Sequence, residues 1–90
     1  MKKIFLCLEF RGGKGHCYVT ILMSDYHIVK FDESECYEYL LPPGDYDILC
    51  DGVSPSISTT ITITDENDTV LAKRKITKEG NFSKLISITL

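Results

Sequence analysis

Two runs of alternating residues flank a glycine-rich turn near the start of the chain, and their phases coincide. With Arg11 set opposite His16 across Gly12, Gly13, Lys14 and Gly15, Phe10 faces Cys17, Leu8 faces Val19, Leu6 faces Ile21 and Ile4 faces Met23. One face is wholly apolar. The other carries Arg11 and His16, Glu9 and Tyr18, Cys7 and Thr20, and Phe5 and Leu22. Side chains alternate across a strand, so a slip of one residue would turn one apolar set toward water, and this phase is strongly specified. The pattern predicts a β-hairpin over residues 4 to 23 and directs the chain to an all-β architecture.

The rest of the chain keeps the period of two. Ser24-Asp25-Tyr26 reads as a turn, and His27 to Phe31 as a short strand with His27, Val29 and Phe31 on one side. Residues 32 to 41 carry two signals. Asp32 followed by Glu35 imitates a capping box, with Cys36, Tyr37, Leu40 and Leu41 as a helical stripe. Against this, Tyr37, Tyr39 and Leu41 alternate with Cys36, Glu38 and Leu40, the aromatic content suits a strand, and Pro42-Pro43 ends the element, so a strand is favoured over a short helix. From Asp45 to Cys50, Tyr46, Ile48 and Cys50 point inward, and Asp51 to Pro55 reads as a break. Ile57, Thr59, Ile61 and Ile63 then alternate with Ser58, Thr60, Thr62 and Thr64, which describes a half-buried strand with a hydroxylated outer face. Asp65 to Asp68 turns the chain into Thr69 to Thr77, and Lys78 to Asn81 turns it again into Phe82 to Leu90. Arg74 and Lys84 interrupt their own apolar faces, as charges do on sheet edges. Seven or eight strands at this spacing predict a small antiparallel β-sandwich occupying residues 1–90 as one domain.

Hydrophobic residues at 43% and charged residues at 26% are ordinary for a globular chain and exclude disordered and low-complexity classes. The apolar run Ile4 to Leu8 stops at Glu9, short of the roughly 7 to 15 residues of an export signal, and no stretch approaches the ~18 of a membrane span. The expectation is a soluble, cytoplasmic protein without membrane contact. Four cysteines, at 7, 17, 36 and 50, would suggest two disulfides in a secreted chain of this length, but the default compartment here is reducing, and the sequence does not decide whether any of them pair; Cys7 and Cys17 fall on opposite faces and cannot bond to each other, while Cys17 and Cys50 sit at apolar positions. The formal net charge of -3 is unevenly spread. Asp25 to Asp68 holds every acidic residue except Glu9 and Glu79, against Lys30 alone, while Lys73, Arg74, Lys75, Lys78 and Lys84 make the end of the chain basic.

The stretch Leu41-Pro42-Pro43-Gly44-Asp45-Tyr46-Asp47-Ile48 resembles the L-x-P-G-x-x-Y and L-P-P-G-x-Y segments of immunoglobulin-like sandwiches, including fibronectin type III modules and the prealbumin-like domains related to carboxypeptidase regulatory domains. The resemblance implies that Pro42 to Gly44 turn the chain at a sheet edge. It also implies that Tyr46 packs its ring inward while its hydroxyl bonds to nearby backbone, as a tyrosine corner does. The tryptophan of the fibronectin type is missing.

No residue pattern assembles a reaction centre. Zinc needs four converging ligands, yet no C-x-x-C occurs, and His16 and Cys17 are neighbours in a strand and point apart. Cys7 and His16 share a face, about 13 Å apart along the strand, too far for a thiol and its base. The Arg11 to His16 loop could hold an anion, but its glycines are equally expected in a turn. Asp65-Glu66-Asn67-Asp68, with Asp45 and Asp47, echoes calcium wording that a polar hairpin turn also explains. The basic run Lys73, Arg74, Lys75 and Lys78 contains no aromatic and sits in an acidic domain, which argues against nucleic acid. No catalytic, cofactor-binding or metal residue is therefore named, and no cofactor is expected. The reading is a non-catalytic protein-interaction or ligand-binding module whose partner is another protein, with self-association through a sheet edge as a further option. Its candidate surfaces are the Gly12 to Gly15 loop, the acidic loops Asp32 to Glu35 and Asp65 to Asp68, and the row Thr60, Thr62 and Thr64. The alternative is a small ligand- or metal-dependent enzyme, or an enzyme inhibitor, whose site is assembled from separate loops.

Overall fold

A computed structural model describes residues 1–22 and 27–90. The turn expected at Ser24-Asp25-Tyr26 and the Ile4–Met23 pair lie outside the described residues. Eight strands follow one another: β1 (Lys2–Arg11), β2 (His16–Leu22), β3 (His27–Phe31), β4 (Glu35–Leu41), β5 (Asp45–Ser54), β6 (Ser58–Asp65), β7 (Val70–Ile76) and β8 (Gly80–Thr89). They form two four-stranded antiparallel sheets, ordered β4-β1-β6-β7 and β3-β2-β5-β8. Among the described residues there is no helix, and so none long and apolar enough to cross a membrane. Residues 35–41 are a strand, as alternation rather than the capping-box signal indicated.

The expected β1–β2 hairpin does not form. β1 pairs with β4 and β6, whereas β2 pairs with β3 and β5 in the other sheet. The apolar faces are the expected ones: Ile4, Leu6 and Leu8 are buried, as are Cys17, Val19 and Ile21. They meet across the interior instead of side by side. Gly12 and Gly13, at φ 88° and 136°, let the chain leave one layer for the other, and the Gly12 backbone lies so close to Ile57 that a side chain would not fit. A hairpin would leave the two greasiest strands sharing one face still to be covered. The arch makes each of them a central strand and lets each cover the other.

The two inner faces share one core. Ile61, Ile63, Leu41 and Ile76 join it from the first sheet, and Phe31, Tyr46, Ile48, Ile86 and Ile88 from the second. The arrangement is compatible with a β-sandwich. β5 runs on through Asp51–Ser54, where the sequence reads as a break. Gly52 permits this, because it lies opposite Cys17 and a Cβ there would stand 2.8 Å from the Cys17 Cα and strike the His16 carbonyl. Ile57, expected on the buried face, precedes β6 and is 62% exposed. The inward hydroxyl of Thr59 donates to Ser54 Oγ at 2.7 Å, which satisfies a polar group that is fully buried.

Arg74 and Lys84 fall on β7 and β8, which are edge strands of the two sheets. Tyr46, the second residue of β5, is buried, and its hydroxyl donates to the Pro42 carbonyl at 2.7 Å. The Pro42-Pro43-Gly44 turn is held on its other side by Leu90, whose amide and carbonyl both bond to Gly44.

Candidate functional site

The outer face of the first sheet carries a trough of about 600 Å³. Its floor follows from cross-strand pairing. Lys73 pairs with Thr62, Thr62 with Cys7, and Cys7 with Cys36; one step along, Lys75 pairs with Thr60, and Thr60 with Glu9. These residues alternate with buried Leu8, Ile61 and Ile76, so the apolar phase that builds the core also aims hydroxyl, sulfur and ammonium groups outward. Arg11 and Ile57 close one end, beside the Gly12 arch. Ser34 and Glu35 form the wall at the start of β4, where Ser34 Oγ accepts the Phe10 amide at 2.9 Å and ties the loop to β1.

Cys7 and Cys36 form a disulfide across β1 and β4. Alternation sets Cys7 on the mixed face of its strand and Cys36 on the side of Glu38 and Leu40. What it could not supply was that β4 lies beside β1 with these two residues directly opposite. Cys17 and Cys50 remain free and buried. The neighbouring Cys50 thiol, together with burial, pushes the Cys17 thiol far above its ordinary range, and its Sγ donates to the Tyr18 carbonyl at 3.7 Å, so it stays protonated and unreactive.

Charge in and around the trough is partly neutralised. Arg11 pairs with Glu9, and Lys3 pairs with Glu38 at 2.8 Å, which raises the Lys3 ammonium above its ordinary value through hydrogen bond and charge together. The carboxylate of Glu35 raises the phenol of Tyr37. Among the described residues, Lys73 and Lys75 meet no carboxylate within ion-pair distance.

Two of the four surfaces named from the sequence reach the trough in part: Thr60 and Thr62, without Thr64, on the floor, and Ser34 and Glu35 from the acidic loop; the Gly12 to Gly15 loop does not line it. The Asp65 to Asp68 loop lies elsewhere. The Asp65 carboxylate is occupied by the amides of Asn67 and Thr69, at 2.8 and 3.0 Å, so the Asp65–Asp68 segment is a self-bonded turn at a small separate recess. Asp45 and Asp47 lie on the other sheet and accept from Thr89 and Ser87. Among the described residues no three His, Cys, Asp or Glu side chains gather as a metal would require. His16 is exposed while Cys17 is buried, so they do point apart. Lys73 and Lys75, which in the sequence belong to a basic run without aromatics, also line this trough. The sequence signal for this placement is their two-residue spacing on the face opposite Ala72 and Ile76.

Comparison with known proteins finds no matching family model, no matching curated protein and no matching solved structure.

Proposed function

We propose that this chain is a non-catalytic interaction module that holds an extended acidic segment of another protein in the trough on its first sheet. The observation that carries this reading is the pair of ammonium groups of Lys73 and Lys75, which meet no carboxylate among the described residues, beside a hydroxylated floor in a cavity of about 600 Å³. Threonine hydroxyls can donate to carboxylates or backbone carbonyls, and alternating lysines match the period of an extended peptide. The chemistry of the thiols agrees: two are joined and two are sealed in the core, so none is placed to act as a nucleophile.

An immunoglobulin-like classification is favoured by the Tyr46–Pro42 bond at the β4–β5 corner. It is favoured also by strand neighbours: β4 beside β1, β2 between β3 and β5, and β8 beside β5, which correspond to E beside B, C between C′ and F, and G beside F. The departure is the insertion of β6 and β7 between β5 and β8. An outward disulfide persists best in oxidising surroundings, which favours an exported setting over the reducing one expected from the sequence.

The test is a titration of isotope-labelled protein with a hexaglutamate peptide, read by amide chemical shifts. Saturable shifts at Thr60, Thr62, Lys73 and Lys75, abolished by Lys75→Glu and by the floor-filling Thr60→Trp, support the trough. Absence of saturable shifts, or shifts that survive both substitutions, refutes it.

A further inference from the structure

We infer that the two outer strands of the first sheet, which pair with no strand on their outer sides among the described residues, are halves of one joint, so that β7 of one copy pairs with β4 of the next. The reasoning starts from hydrogen-bond phase. Cys7 and Cys36 stand opposite each other with Cα atoms 4.1 Å apart. That is the close spacing of a non-hydrogen-bonded pair, since hydrogen-bonded antiparallel pairs lie near ~5.5 Å. The backbone N–H and C=O of Cys36 therefore point away from β1 into the open edge, and by the period of two so do those of Glu38 and Leu40. The backbone groups of Cys7 turn the other way, to Thr62. Thr62 is then non-hydrogen-bonded to its other neighbour, Lys73, so the backbone groups of Lys73 and Lys75 also point out of the sheet.

Direction and length agree with this phase. In a sheet of four antiparallel strands the two outer strands run oppositely, so a copy displaced along the sheet presents β4 antiparallel to β7 without being turned over. Both strands are seven residues long. Laid end to end, with Val70 on Leu41 and Ile76 on Glu35, they set Lys73 opposite Glu38 and Lys75 opposite Cys36. Those are residues whose backbone groups are free on both sides. The same overlay keeps faces matched: Ala72 meets Tyr39 toward the interior, and Arg74 meets Tyr37. The bulge at the start of β7 lies beyond the Lys73–Lys75 segment.

Charge selects this pairing over the others. β7 carries Lys73, Arg74 and Lys75 and no acid, while β4 carries Glu35 and Glu38 and no base. Pairing β7 with β7, or β4 with β4, sets like charges against each other, which protects each edge from its own kind. Between the edges of the first sheet, only the mixed pair is complementary. Lys3 takes one carboxylate oxygen of Glu38 and leaves the other for Lys73. Leu40 and Val70, 56% and 55% exposed, are also covered by the joint. Such a head-to-tail contact does not close on itself, so it builds rows of copies rather than a dimer. It does not depend on the trough being a peptide site.

The experiment is sedimentation of the full chain, disulfide intact, from ~10 μM to ~1 mM at low salt. One strand pair buries less than the ~1,200 Å² of a standard interface, so association at roughly 0.1 to 1 mM is expected. The mean mass should rise above 10.2 kDa with concentration and fall back on addition of salt. Lys73→Glu alone and Glu38→Lys alone should each stay monomeric, and an equimolar mixture of the two should regain association, because each supplies the charge the other lacks. A wild-type chain that stays monomeric at ~1 mM overturns the inference. So do single variants that associate like wild type, or a mixture that stays monomeric. Thr60→Trp separates the two proposals: it should abolish hexaglutamate binding and leave association unchanged.

Discussion

Removing the Cys7–Cys36 bond should be the most damaging change on the surface of the molecule. The bond joins residues 29 apart in sequence. In the chain-entropy account, closing a loop of that length removes about 12 cal/mol/K from the unfolded ensemble, or about 3.6 kcal/mol at 25 °C. A domain of this size has roughly 5 to 15 kcal/mol in all, so the loss takes a quarter or more of it. The perturbation is Cys7→Ser/Cys36→Ser, with reduction of the wild-type chain as a second route to the same state. Neither touches the buried Cys17 and Cys50. The assay is urea unfolding followed by far-ultraviolet circular dichroism. With a slope of roughly 1 to 1.5 kcal/mol/M, the midpoint should fall by about 2.5 to 3.5 M. Hydrogen exchange should show the loss first in β4, an edge strand that the bond ties to β1. A double variant within ~1 kcal/mol of the oxidised chain would refute the reasoning, since β1–β4 pairing would then hold that edge without the cross-link.

Tyr46→Phe removes the bond to the Pro42 carbonyl and keeps the ring, so it should cost about 1 kcal/mol and lower the melting temperature by roughly 4 to 8 °C, whereas Tyr46→Ala should cost about 3 to 5 kcal/mol. Calorimetry of the two variants checks this; equal losses would mean that the hydroxyl contributes nothing. Gly52→Ala should cost about 1 to 3 kcal/mol in urea unfolding, because its methyl would force β5 away from β2, and a neutral result would contradict the close approach. The raised Cys17 thiol gives a pH dependence of definite sign. Above about pH 9 the unfolded chain releases this proton and the folded chain keeps it, so stability falls with rising pH by ~1.4 kcal/mol per unit, while below pH 8 this group contributes no slope. Urea midpoints at pH 8, 9 and 10 should show the decline in wild type and a shallower one in Cys17→Ala; parallel declines would refute it.

The period-two pattern was enough to assign which residues face the interior, because burying one side of a strand makes alternation obligatory. Ile4, Leu6, Leu8, Cys17, Val19 and Ile21 were all legible in this way, and so were the Tyr46 corner and the Asp65 turn, where the chemistry is local. The partner of each strand was not legible. An apolar strand satisfies the same alternation whether its neighbour in sequence lies beside it or across the core, and the glycines that allow a hairpin also allow an arch. The disulfide, the trough and the exposed lysine pair all depend on strand order: Cys7 meets Cys36, and Thr62 meets Lys73, only because β4 and β6 flank β1 and β7 flanks β6. Pairing between distant strands is set by the summed burial of both layers at once, and no window of neighbouring residues carries that sum.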